Sequence, residues 1–138
     1  MPDGIDLILE DHLRVDELFA AFAASGDPTL VGQILDALAA HDDAEHSALY
    51  PLVGEVLGDP ALVERSAAAH SLVKQQIDRM KFLEGPALVA EVVALQKLVD
   101  SHAKEEETKV LPELREAATP SQIEVLGARI LATKQRVG

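Results

Sequence analysis

Residues 41–51 read HDDAEHSALYP, and residues 102–112 read HAKEEETKVLP. Each stretch opens on a histidine (His41, His102), carries a glutamate one helical turn on (Glu45, Glu106) and closes on a proline (Pro51, Pro112). A helix advances about 100° per residue, which places His41 and Glu45 about 40° apart on one face, as it does His102 and Glu106. An isolated pair of this kind ordinarily marks a solvated helix face. Its meaning depends on what else shares that face.

In the first stretch the apolar stripe runs Ile34, Leu38, then the pair, then Leu49 and Leu52. In the second, Leu88, Val92, Leu95 and Val99 lead into His102 and Glu106. Both pairs therefore stand where core residues belong. A buried carboxylate without a partner is costly, so two of them beside two histidines require compensating positive charge or protonation, and a metal ion supplies that charge. His12 lies on the stripe Ile5, Ile8, Val15, Phe19 and Phe22, and His70 lies at heptad spacing between Val63 and Ile77. Taken singly, each of these is an ordinary core histidine. Taken together, both halves of the chain read histidine, then His-x-x-x-Glu, then proline, a weak internal repeat. Two such halves offer six nitrogen and oxygen ligands for two metal ions, with the glutamates free to bridge. Imidazole and carboxylate without sulfur suit iron, manganese or zinc rather than copper(I).

Helix punctuation sets the frame. Apolar-periodic runs over about 5–24, 29–57, 60–83 and 86–118 are separated by SGDPT, GDP and EGP, and a shorter run follows TPSQ. Asp59 before Pro60 and Thr119 before Pro120 read as N-caps, with Gln122 completing a capping box. Short joints make consecutive helices antiparallel neighbours. The expected fold is all-α: an up-down-up-down four-helix bundle over about 5–118 with a short additional C-terminal helix over about 120–136, forming one domain across residues 1–138. Pro51 and Pro112 fall inside helical runs and should kink or end them.

Composition narrows the function. Three Phe, one Tyr and no Trp leave the core to Leu, Val, Ile and Ala, which favours packed helices. With no cysteine, disulfides, thiolate metal sites and a cysteine nucleophile are excluded, and a cytoplasmic location is expected. The first residues, MPDGIDLILEDH, lack a basic leader, and no segment approaches the ~20 apolar residues of a bilayer span. A net charge of −12, from 24 acidic against 12 basic residues, opposes nucleic-acid binding. No Glu-x-x-His pair of the ferritin-like class and no HExxH protease signature is present.

The chain resembles the hemerythrin-like (HHE cation-binding) domain family, through EDHLRVDELF, HDDAEHSALYP, AAAHSLVKQQI and HAKEEETKVLP, over about residues 5–117. The resemblance implies a bundle around two non-heme iron ions, oxo- or hydroxo-bridged and carboxylate-bridged. In that picture His12, His41, His70 and His102 are terminal metal ligands, and Glu45 and Glu106 bridge. Oxygen-carrying members have a second histidine one turn after the third-helix histidine, where this chain has Lys74. One iron is then short of a histidine, which moves the expectation from oxygen storage to a diiron protein that decomposes hydrogen peroxide (catalase-like) or scavenges it. The alternative is a non-enzymatic module that binds or senses oxygen, nitric oxide or iron. The expected partner is a small-molecule ligand, with no nucleic acid and no membrane, and the chain is a monomer or homodimer.

Asp42, His46 and Tyr50 are the candidates to fill the position left open at Lys74; Asp42 is expected to be solvated instead, and His46 to sit outside the ligand set or at the surface. Tyr50 is expected to pack near the Pro51 kink, with a role near iron as ligand or hydrogen-bond donor in reserve. Glu105 and Glu107 are expected to face water, and the last helix to act as a lid or a dimer contact.

Overall fold

A computed structural model describes residues 3–137, and all regular structure among them is helical. The helices are α1 (Gly4–Ser25), α2 (Pro28–Ala44), α3 (Tyr50–Leu57), α4 (Pro60–Met80), α5 (Gly85–Glu105), α6 (Leu111–Ala117) and α7 (Pro120–Val137). Two π-helical turns, Glu45–Leu49 and Glu106–Val110, join α2 to α3 and α5 to α6 without a break. The result is the expected four-helix bundle, α1, α2–α3, α4 and α5–α6, with α7 added.

Local chemistry sets the boundaries. Asp3 caps α1 by accepting from the amides of Ile5 (2.8 Å) and Asp6 (3.2 Å), and Gly26, at φ 65°, ends the helix in the left-handed region. Asp59 caps α4 by accepting from Leu62 N–H at 3.1 Å. The Thr119 hydroxyl accepts from Gln122 N–H (3.1 Å) while the Gln122 side chain accepts from Thr119 N–H (2.8 Å), a reciprocal capping box as expected.

The two internal prolines act differently from a simple stop. In a regular helix the Pro51 ring would collide with the Ser47 carbonyl. Instead the preceding turn widens: Tyr50 N–H donates to Glu45 O, and Leu111 N–H donates to Glu106 O, each five residues back. The strain is absorbed over residues that begin at the motif glutamate, and the helix continues.

The core divides into two apolar clusters. One holds Ile5, Ile8, Leu49, Val53, Leu62, Leu111 and Leu114, and the other Val15, Phe19, Phe22, Ile34, Leu38, Met80, Val92 and Leu95. Along each bundle helix the chain passes from one cluster to the other through a histidine or a His-x-x-x-Glu pair. The polar groups therefore form a layer across the middle of the bundle.

Helix α7 packs against α1, α2 and the first π turn, and its Ile123, Leu126 and Ile130 complete the first cluster. Burying such aliphatic side chains stabilises by about 1.5–3 kcal/mol each. Of the two roles open to this helix, covering the bundle is the one its apolar face fulfils. No helix among the described residues is long and apolar enough to cross a membrane.

The seat of α7 is tight. A Cβ placed on Gly4 would lie 2.5 Å from Leu126 Cγ and 2.7 Å from Gly127 N, so α1 and α7 meet at backbone contact. Gly4→Ala should lower stability by about 1–3 kcal/mol through this overlap, read as a lower denaturant midpoint. An unchanged midpoint would show that the two helices do not approach so closely.

Candidate metal centre

All six predicted residues converge in the polar layer. His12, His41, Glu45 and Glu106 form one set and Glu45, His70, His102 and Glu106 a second, each with one nitrogen or oxygen per residue mutually within 4.8 Å. Both sets share both glutamates, whose relative exposure is 0%. His12 Nε2 lies 3.1 Å from Glu106 Oε1, His41 Nε2 3.2 Å from Glu45 Oε2, His70 Nε2 2.7 Å from Glu45 Oε1 and His102 Nε2 3.1 Å from Glu106 Oε2.

Two details bear on what fits there. Glu45 Oε2 is buried with no hydrogen-bond donor, because the His41 nitrogen has ion-pair distance but not hydrogen-bond direction. His70 Nε2 and His102 Nε2 lie 2.8 Å apart, both aimed into the same space. An orphaned carboxylate oxygen and two converging imidazole lone pairs are relieved together by a cation, and the N/O donor set suits a hard or borderline metal. Each set is able to hold a metal ion.

The histidines are held from behind. His12 Nδ1–H donates to Glu107 (2.8 Å), His41 Nδ1–H to Asp11 (3.1 Å) and His70 Nδ1–H to Asp42. A carboxylate on the far nitrogen fixes ring and tautomer so that Nε2 faces inward. Among the described residues no carboxylate meets His102 Nδ1. Each orienting acid adjoins a motif residue in sequence, yet serves a histidine on another helix. Asp42 and Glu107, expected to face water, are indeed half-exposed, but each is also tied to a histidine. Asp11 was not foreseen; its signal, an acid beside a core histidine, becomes legible only once helix pairing is known. His46 stays at the rim, 3.3 Å from Asp42 Oδ1 and edge-on to His70.

Tyr50 takes the alternative held in reserve for it, a hydrogen-bonding place among the ligands. Rather than packing only near Pro51, it is buried with its hydroxyl 3.1 Å from Glu45 Oε1 and Glu106 Oε2, 2.8 Å from His70 Nε2 and 3.1 Å from His102 Nε2. In an α-helix Tyr50 would lie about 140° from Glu45. The turn closed by a bond across five residues brings it onto the glutamate's face instead. Lys74 stays out of both sets and lines a cavity of about 400 Å³, which the four histidines floor and Val15, Leu38, Val73, Ile77 and Val99 wall.

The family model of the Hemerythrin HHE cation binding domain matches residues 3–114. The chain belongs to this family. A relative described as a DNA nickase, from Nostoc sp. strain PCC 7120, is 28% identical over 138 residues, covering 96% of this chain but 39% of that protein. The chain thus spans about two fifths of that relative's length. The crystal structure of a hemerythrin HHE cation binding domain-containing protein from Mycobacterium kansasii superposes with a TM-score of 0.86 at 21% identity, covering 99% of this chain and 88% of that one, a likeness of fold.

Electrostatics in this HHE domain follow from burial against pairing. Burial pushes His41 down, but Glu45 and Asp11 outweigh it and hold its pKa well above the usual value of 6.5. Burial likewise opposes protonation of His102, yet Glu106 and Glu45 raise it to about 10, and His12 is raised by Glu106. For Glu45, burial favours the neutral acid, and the surrounding His41, His102 and His70 reverse this, leaving it well below 4.5. Burial and the two carboxylates raise the Tyr50 phenol, so it keeps its proton.

Without metal, protonated histidines thus compensate the buried carboxylates. A raised histidine pKa stabilises fully below the unfolded value of 6.5 and loses that stabilisation as pH rises, through about 10 for His102. A depressed Glu45 stabilises above 4.5 and loses its contribution below. The apoprotein should therefore melt highest between about pH 4.5 and 6.5 and progressively lower towards pH 10, whereas metal-loaded protein should show a flatter alkaline limb. Calorimetry on both forms, which share the same surface charge, checks this; an apoprotein midpoint that climbs above pH 6.5 contradicts it.

Proposed function

We propose that this HHE domain is a non-heme diiron protein that decomposes or scavenges hydrogen peroxide. The observation that carries the reading is the sharing of both buried carboxylates between two histidine pairs on the floor of a cavity. His12 and His41 would hold one ion, His70 and His102 the other, and Glu45 and Glu106 would bridge. Bound iron would supply redox equivalents and Lewis acidity towards a small oxidant.

The chain's own residues do the rest. Glu45 and Glu106 supply the negative charge that balances cations in an apolar interior. Asp11, Asp42 and Glu107 hold three imidazoles in register. The Tyr50 hydroxyl, retaining its proton, stands ready to donate to an oxygen atom arriving beside His70 and His102. Lys74 lines the cavity outside both ligand sets, and Val15, Leu38, Val73, Ile77 and Val99 leave room beside the histidines for a small molecule.

A second reading, reversible binding or sensing of oxygen, nitric oxide or iron, is favoured by the placement of the ligands on all four bundle helices, which couples occupancy to packing. No DNA activity is proposed for this chain, whose net charge of −12 disfavours phosphate binding.

Anaerobic loading should give two irons per chain and a protein that evolves oxygen from peroxide. His102→Ala should lose about half the iron and at least about tenfold in oxygen evolution. Equal activity in the variant would sink the peroxide reading, and a spectrum that responds to oxygen or nitric oxide without turnover would favour the second.

A further inference from the structure

Helix α7 does more than cover the bundle. On its buried stripe, one turn beyond Ile130, stands Lys134, whose ammonium donates to Asp11 Oδ1. The other oxygen of Asp11 accepts from His41 Nδ1 at 3.1 Å, and His41 Nε2 lies at ion-pair distance, 3.2 Å, from Glu45 Oε2. A chain of direct contacts therefore runs from the C-terminal helix to a bridging carboxylate. Lys134 lies beyond residue 114, where the family match ends.

The three orienting carboxylates are not alike. Glu107 and Asp42 have side chains 44% and 46% exposed, so water shares their charge. Asp11 is 13% exposed and lies between an imidazole and an ammonium, with each oxygen committed to one of them. A carboxylate pinned at both oxygens has one orientation, and it passes that orientation to the ring it accepts from. Removing the ammonium frees one oxygen to seek water, and the carboxylate can then rotate away from His41. The contact is also placed by the backbone: Gly4 meets Gly127, and two turns further along both helices Asp11 meets Lys134.

We propose that Lys134 is a positioning residue of the metal centre: through Asp11 it orients His41, so that docking of α7 and metal loading of the His12/His41 half support each other. The orienting acid of the His70/His102 half, Asp42, has no lysine or arginine partner among the described residues, so that half lacks this link to α7. Coupling of this kind is reciprocal, so metal at His12/His41 tightens α7 as much as α7 tightens metal. The inference rests on the two-ion reading given above.

The test is anaerobic iron(II) titration of the apoprotein by chelator competition, with hydrogen exchange of the α7 amides. Wild type should bind two ions and show slower α7 exchange on loading. Lys134→Met should weaken one of the two sites about 10- to 100-fold, leave the other unchanged and abolish the metal-dependent protection of α7. Lys134→Arg should restore both, and Asp11→Asn, a second route to the same loss, should reproduce the site-selective weakening. A purely structural lysine would lower the melting midpoint of apo and loaded protein alike and leave both affinities and the metal-dependent protection intact, which overturns the proposal. Wild-type protein that takes up no iron(II) overturns this and the diiron reading together; two ions with unchanged affinity in Lys134→Met overturns the coupling alone.

Discussion

Glu45 and Glu106 are fully buried between two apolar clusters, with the Tyr50 hydroxyl and the four histidines as their polar neighbours. An anion in such a place is tolerated only with positive charge in direct contact. Histidines supply the contact in either of two ways, His12, His41 and His102 as imidazolium against carboxylate, or all four as neutral ligands to a cation that also meets the carboxylates. The surrounding structure can be read as the means of keeping those contacts in place. Acids stand behind three of the rings, apolar layers close both sides of the polar sheet of residues, and a helix is laid over the face where α1 and α2 would otherwise be open.

The second constraint is backbone geometry. The i,i+4 spacing of His41 and Glu45, and of His102 and Glu106, needs a regular helix up to the glutamate, and the prolines require an irregular one soon after. The π turns satisfy both, because they begin at the glutamate and end before the ring. Their further effect is to shift the register of everything downstream, which is how Tyr50 comes onto the ligand face.

Much of this was legible in the sequence because it is local. The paired glutamates on apolar stripes, the Asp59 and Thr119 caps and the short joints each depend on residues a few positions apart, and they led to the bundle and to a six-residue cluster. What escaped depends on pairing between helices or on departures from ideal periodicity. Asp11, Asp42 and Glu107 look like solvated acids on their own helices, and only the neighbouring helix reveals whose nitrogen they meet. Tyr50 could be read as a residue by the proline or as a hydrogen-bond donor at the ligands, and only the widened turn decides for the second. Lys134 reads as one more basic residue of an amphipathic helix until α7 is seated against α1.

The internal repeat is broken at one informative position. Tyr50 follows the first π turn as Leu111 follows the second, so the same backbone presents a hydroxyl to the cluster on one side of the pseudo-symmetric bundle and a methyl-bearing side chain to the core on the other. Two halves that share one motif thereby have different interiors after the widened turn, while the motif histidines, glutamates and prolines are common to both. For a scaffold of this kind, the identity of the residue after the widened turn is a natural point of divergence: it can alter the character of one half without disturbing the charge balance that holds the whole bundle together.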